Sequence, residues 1–128
     1  MSATLGLTLD AGALIAFERG EQRIRLILRR ASAGDRPITV PATVVAEAWR
    51  GGRRRWLADL LDLAVIEPLT EELARRAGEL LARTGTSNTV DATVAVSAAQ
   101  RGDIIVTSDP DDMQLFAGDL PAIRVLSL

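Results

Sequence analysis

An α/β fold, built as a short, mainly parallel sheet flanked by helices, is predicted by two features of the chain. Five short apolar runs rich in β-branched residues recur along it, and segments of helical periodicity separate them. Parallel strands need crossover connections, and helices supplying those crossovers cover both faces of the sheet. The first strand is expected at Leu5 to Leu9, closing on Asp10 before a plausible helix start. Next, Ile24, Ile27, Leu28 and Ala31 share one helix face while Arg23, Arg25, Arg29 and Arg30 lie elsewhere, and Gly34 supplies a stop. A second strand, Pro37 to Val40, leads into a helix from Pro41. The third run, Ala64 to Ile66, reads as another buried strand. Thr70 then caps a helix carrying Leu73, Ala77, Leu80 and Leu81, supported by the Glu72/Arg76 and Glu79/Arg83 spacings. A helix from about Val90 to Arg101 precedes the fourth strand, Ile104 to Thr107, and Ile123 to Leu126 forms the fifth.

With 128 residues and 48% hydrophobic content, residues 1–128 are expected to form a single domain that folds without covalent staples. The chain has no cysteine, which removes disulfides, thiolate zinc sites and thiol nucleophiles, and it has no histidine. No basic segment leads into a long apolar run, and no stretch approaches the roughly 20 apolar residues of a membrane span. A soluble, cytoplasmic protein with no membrane association is expected. The formal net charge of -2 does not match the basic surface of a general nucleic-acid binder, so any such role must be local. All 15 basic residues are arginine. Without lysine there is no Walker-type phosphate lysine and no Schiff base.

Carboxylates carry the remaining chemistry. Asp10 ends the first apolar run, Glu47 interrupts Val44-Val45-Ala46, Asp91 opens Ala92-Thr93-Val94-Ala95-Val96, and Asp109 follows Ile104-Ile105-Val106-Thr107-Ser108. Acidic side chains rarely occupy such places without a cap, a partner or a metal. In open α/β sheets the ligand crevice lies beyond the carboxyl ends of the strands, where Asp10 and Asp109 emerge. Two carboxylates about 4 Å apart repel by roughly 4 kcal/mol at an effective dielectric near 20, so a cluster must protonate, acquire arginine or hold a cation. Oxygen-only ligands favour Mg²⁺ or Mn²⁺ over zinc.

Plainer roles compete at each position. Asp10, Asp91 and Asp109 each stand close to a helix start and fit an N-cap, Asp109 especially so because Pro110 follows it. Glu47 fits a solvent-facing turn of its helix. Asp111 and Asp112 fit a first helical turn, where the dipole favours acids. Arg53-Arg54-Arg55 suits either phosphate contact or a solvated helix face. Thr107 and Ser108 either hydrogen-bond in the site or finish a strand. Trp49 and Trp56 read as packing residues rather than base-stacking platforms.

Four segments together resemble the PIN-domain ribonucleases, and among them the VapC toxins of bacterial toxin-antitoxin modules. They are Leu9-Asp10-Ala11-Gly12-Ala13-Leu14, Val44-Val45-Ala46-Glu47-Ala48-Trp49-Arg50, Thr89-Val90-Asp91-Ala92 and Ile105-Val106-Thr107-Ser108-Asp109. Each is weak alone, and their order and spacing extend the resemblance over essentially the whole chain. The resemblance implies a Rossmann-like sheet and a toxin that is a Mg²⁺- or Mn²⁺-dependent endoribonuclease, cleaving phosphodiester bonds with metal-activated water. It implies that Asp10, Asp91 and Asp109 hold metal and that Glu47 completes the catalytic set. Asp112 resembles a late acidic position of the family, with Asp109 the preferred contributor. A cognate VapB-type antitoxin and a homodimer are implied as partners beside the RNA substrate.

Two other classes compete. A catalytically silent PIN-like module would bind RNA or protein without turnover dependent on these acids. A receiver-like phosphoacceptor domain also uses an acidic Mg²⁺ pocket, and the missing lysine counts against it.

Overall fold

In the computed structural model, which describes residues 5–128, five strands form one wholly parallel sheet in the order β3-β2-β1-β4-β5. Residues 1–4 of the expected domain lie outside the described residues. The chain runs β1 (Leu7–Leu9), α1 (Ala11–Glu18), α2 (Gln22–Ala33), β2 (Ile38–Pro41), α3 (Ala42–Ala48), α4 (Arg55–Leu63) and β3 (Val65–Glu67). It continues through α5 (Glu71–Thr84), α6 (Thr89–Arg101), β4 (Ile104–Thr107), α7 (Pro110–Ala117) and β5 (Arg124–Ser127). The fold class is therefore the expected one, with strand boundaries moved by one or two residues.

Strand order fixes where a site can form. From β1 the chain builds outward through β2 to β3, then returns across the sheet to place β4 on the other side of β1. The crevice between the carboxyl ends of β1 and β4 is the point where the order reverses, the position at which such sheets bind ligands. β1 pairs with both neighbours, Leu7 opposite Ile38 and Ile104, and Leu9 opposite Val106. Leu9, Val40, Ile105 and Val106 are fully buried together with Leu14, Val94 and Phe116. Helix α6 is buried continuously from Ala92 to Ala98. Its small residues let it approach β1 and α5, which pack closely against it.

Several expectations are corrected. The third and fifth strands, read as buried from sequence, are the two edge strands: Val65 is 58% exposed and Ile66 39%, and no residue of β5 is buried. The arginine run opens a separate helix, α4, which the alternating apolar pattern did not single out. Of the expected intrahelical pairs in α5, Glu72 meets Arg76 at 2.9 Å, whereas Arg83 turns to Asp119 at 3.6 Å instead of Glu79. Thr70 caps α5 as expected, its hydroxyl accepting from the Leu73 N–H at 3.1 Å.

Candidate active site

Asp10 follows β1 directly and is 6% exposed. Its carboxylate accepts the Ala13 N–H at 2.9 Å, so it does cap α1. Capping alone does not account for Asp91 or Asp109. Helix α6 is capped by Asn88, whose side chain accepts from the Asp91 N–H at 3.0 Å, leaving Asp91 inside the first turn with a carboxylate that has no hydrogen-bond or ion-pair partner among the described residues. Asp109 occupies the cap position of α7 but its side chain makes no capping bond. Glu47 lies on the exposed side of α3, one turn past the Thr43 hydroxyl, which shares a 2.7 Å hydrogen bond with Thr93 of α6. That bond ties the Glu47 helix to the Asp91 helix.

Thr107 links the two strand ends. Its buried hydroxyl accepts the Asp109 N–H at 2.9 Å and hydrogen-bonds to Asp10. Gly12 makes room for the same turn: a Cβ there would fall 2.1 Å from the Ser108 Oγ, so any side chain at this position would displace Ser108.

The acids lie within reach of one another's charge. Burial raises the Asp10 pKa above its ordinary value, the hydrogen bonds from Thr107 and Ala13 pull it down, and the charges of Asp109 and Glu47 push it up again. Asp91 is raised from 3.8 to about 6, first by burial and then by Asp112, Asp10, Glu47 and Asp109. A hydrogen bond with Asp109, and then that residue's charge, raises Asp112. Four separate segments of the chain thus converge on one repulsive field. An open, largely apolar concavity of about 690 Å³ lies elsewhere, among α1, α2 and α4, and none of these acids lines it. Clustered carboxylates at the sheet's switch point are a stronger sign of chemistry than apolar volume alone.

Residues 7–118 match the family described as PIN domain. The chain belongs to the PIN domain family. No curated protein matches its sequence. Among solved structures, it is similar to VapBC2 of Rickettsia felis bound to a DNA fragment from their promoter, at 16% identity and a TM-score of 0.74, covering 97% of this chain and 99% of that one. It also resembles DNA-bound VapBC of Salmonella typhimurium, at 18% identity and a TM-score of 0.70 over 97% and 98% of the two chains. VapBC-5 of Mycobacterium tuberculosis, from a family of toxin-antitoxin systems, gives 21% identity and a TM-score of 0.60 over 98% and 100%. At these identities the likeness carries the fold.

In this PIN domain the donors are all oxygen, the class that hard divalent cations prefer, and a cation would relieve the repulsion that raises these pKa values. Yet among the described residues no three acidic side chains stand close enough to form a ligand group. Asp10, Asp91 and Asp109 are carboxylates that feel one another's charge without forming such a group. The fourth acidic position is shared: Asp109 is the charge felt at Asp10, while Asp112 acts more strongly than Asp109 on Asp91. Helical spacing gives the reason, because three residues along α7 bring Asp112 beneath Asp109.

The sequence also contains an acid that serves structure alone. Asp103 is buried beside Gly6, accepts from Thr8 at 2.9 Å and pairs with Arg101 at 2.9 Å. It stands immediately before β4, at the opposite end of that strand from Asp109, so it lies away from the carboxyl ends where the candidate acids emerge.

Proposed function

We propose that this PIN domain is the toxin of a toxin-antitoxin system, a Mg²⁺- or Mn²⁺-dependent endoribonuclease that hydrolyses RNA phosphodiester bonds in the cytoplasm. The observation that carries this reading is the convergence of Asp10, Glu47, Asp91, Asp109 and Asp112 at the switch point of the sheet, each of the three resolved pKa shifts being upward. Asp10, Asp91 and Asp109, with Asp112 beside them, would hold the ion. When bound, it supplies Lewis acidity toward a phosphoryl oxygen and a water of lowered pKa. Asp10 is oriented by Ala13 and Thr107, and Asp91 by its place on the first turn of a buried helix. Glu47, at the solvent side, is a carboxylate available to accept a proton, a task no histidine can take in this chain. A VapB-type antitoxin would silence the cluster by supplying a cation of its own in place of metal. The active form would be a homodimer.

Brief expression in a related host without antitoxin, with new RNA ends mapped by sequencing, tests the reading. Discrete ends should appear with the parent protein and be lost with Asp10→Asn and with Asp91→Asn, both variants remaining folded. Unchanged cutting in both variants would sink the mechanism. No cutting by an abundant, folded parent would favour a silent binding module.

A further inference from the structure

Resting on RNA as the substrate, we propose that the segment from Trp49 to Trp56 is the binding surface for the single-stranded RNA that leads into the acidic cluster. Trp49 stacks a base, and Arg53 and Arg55 contact phosphates. The segment consists only of tryptophan, arginine and glycine, four of its residues are arginine, and it holds both tryptophans of the chain. It therefore concentrates positive charge in a protein whose net charge is -2. Base stacking on aromatic side chains, combined with arginine contacts along the backbone, is how proteins hold single strands.

The geometry fits that use. Both indoles reach solvent, Trp49 by 36% and Trp56 by 50%, so each packs through part of its ring and leaves part of it accessible. Trp56 already carries the Arg25 guanidinium on its ring at 3.9 Å, which leaves Trp49 as the freer platform. Trp49 ends α3, two residues after Glu47. Its backbone is fixed by its own N–H to the Val45 carbonyl at 2.8 Å, and by the Arg50 side chain, which donates to the Trp49 and Ala46 carbonyls at 2.9 Å. Gly51 and Gly52, at φ of 72° and 74°, then bend the chain in a conformation that side chains disfavour.

Arg54 anchors the far side, donating to both Glu18 carboxylate oxygens at 2.8 and 3.0 Å. Glu18 ends α1, whose cap is Asp10, and its eight residues span about 12 Å. The arginines are thus held a short stretch of nucleotides from the cluster. Arg53 and Arg55 are exposed and have no ion pair among the described residues. Arg55 also sits in the first turn of α4, where the helix dipole opposes a cation. That local cost adds to an attractive field for phosphate.

Fluorescence tests the surface directly, because Trp56→Phe leaves Trp49 as the sole indole and Trp49→Ala leaves Trp56. The probe is a single-stranded RNA of roughly a dozen nucleotides, added to protein carrying Asp10→Asn so that it survives. It should quench the Trp56→Phe protein and leave the Trp49→Ala protein unquenched. Trp49→Ala should weaken binding about five- to 150-fold, the equivalent of losing one stacked base at about 1–3 kcal/mol. Arg53→Ala with Arg55→Ala should lower the slope of log affinity against log salt by about 1.4, the value for two single-strand phosphates. Acid-dependent cleavage with quenching, affinity and salt slope all untouched would overturn the surface and keep the nuclease. Quenching that follows this pattern, with no cleavage by the parent protein, would keep the surface and overturn the nuclease. Equal quenching by duplex RNA or by an acidic peptide would overturn the assignment to single strands.

Discussion

At the scale of single residues, Asp91 shows how burial and neighbouring charge combine. Its carboxyl holds a proton up to about pH 6 in the folded protein, whereas the ordinary value is 3.8. Between those values the folded state binds a proton that the unfolded chain has released, so stability falls as pH rises through this window. The contribution is fully present below 3.8 and lost above about 6. Thermal unfolding across that range should therefore show Asp91→Asn with a flatter pH profile than the parent and a higher Tm near neutrality. A variant that loses stability near neutrality instead would mean that Asp91 is satisfied as a charged group. Asp10 and Asp112 are shifted in the same direction, so the parent's slope should exceed what one group supplies.

At the scale of elements, Arg101 at the end of α6 joins three strands. It donates to Thr8 of β1 at 2.8 Å and to Ser97 at 3.0 Å, pairs with Asp103 at the start of β4, and reaches Glu67 of the edge strand β3. Asp103, at 4% exposure, depends on this arrangement. Arg101→Met should destabilise the fold by about 2–3 kcal/mol, because it strips a charged hydrogen-bond partner from a buried carboxylate. Adding Asp103→Asn should recover part of that loss in a double-mutant cycle of denaturant unfolding. Strictly additive costs would show that the pair does not act as a unit. The same network holds α6 against the sheet, with Asp91 at the opposite end of that helix.

At the scale of the whole molecule, the cluster joins elements that are far apart in sequence, so an ion bound there would link α1, α6 and α7. Binding to the folded state alone stabilises it by about 2.7 kcal/mol at a free concentration 100 times Kd, which in a domain of this size raises Tm by about 10 °C. Titration with MgCl₂ or MnCl₂ should raise the Tm of the parent and leave that of Asp10→Asn and Asp91→Asn nearly unchanged. Equal rises in all three proteins would mean a general salt effect and no bound ion at this cluster.

The alternation of apolar runs with helical periodicity determined the α/β class, the strand positions within one or two residues, and the candidacy of Asp10, Glu47, Asp91 and Asp109, because local pattern and residue chemistry are carried by neighbours in sequence. The same local signals misjudged β3 and β5, whose apolar residues look alike in a central and an edge strand, and they did not single out Asp103, which the fold buries and pairs with Arg101. Capping was likewise ambiguous from sequence. Only the fold showed that Asn88 caps α6 and frees Asp91, while Asp10 does cap α1. Strand order, the electrostatic balance between Asp109 and Asp112, and the exposure of Trp49 and Trp56 were decided by tertiary structure alone. Each depends on contacts between segments distant along the chain, and a field or an accessible surface exists only once those segments are packed.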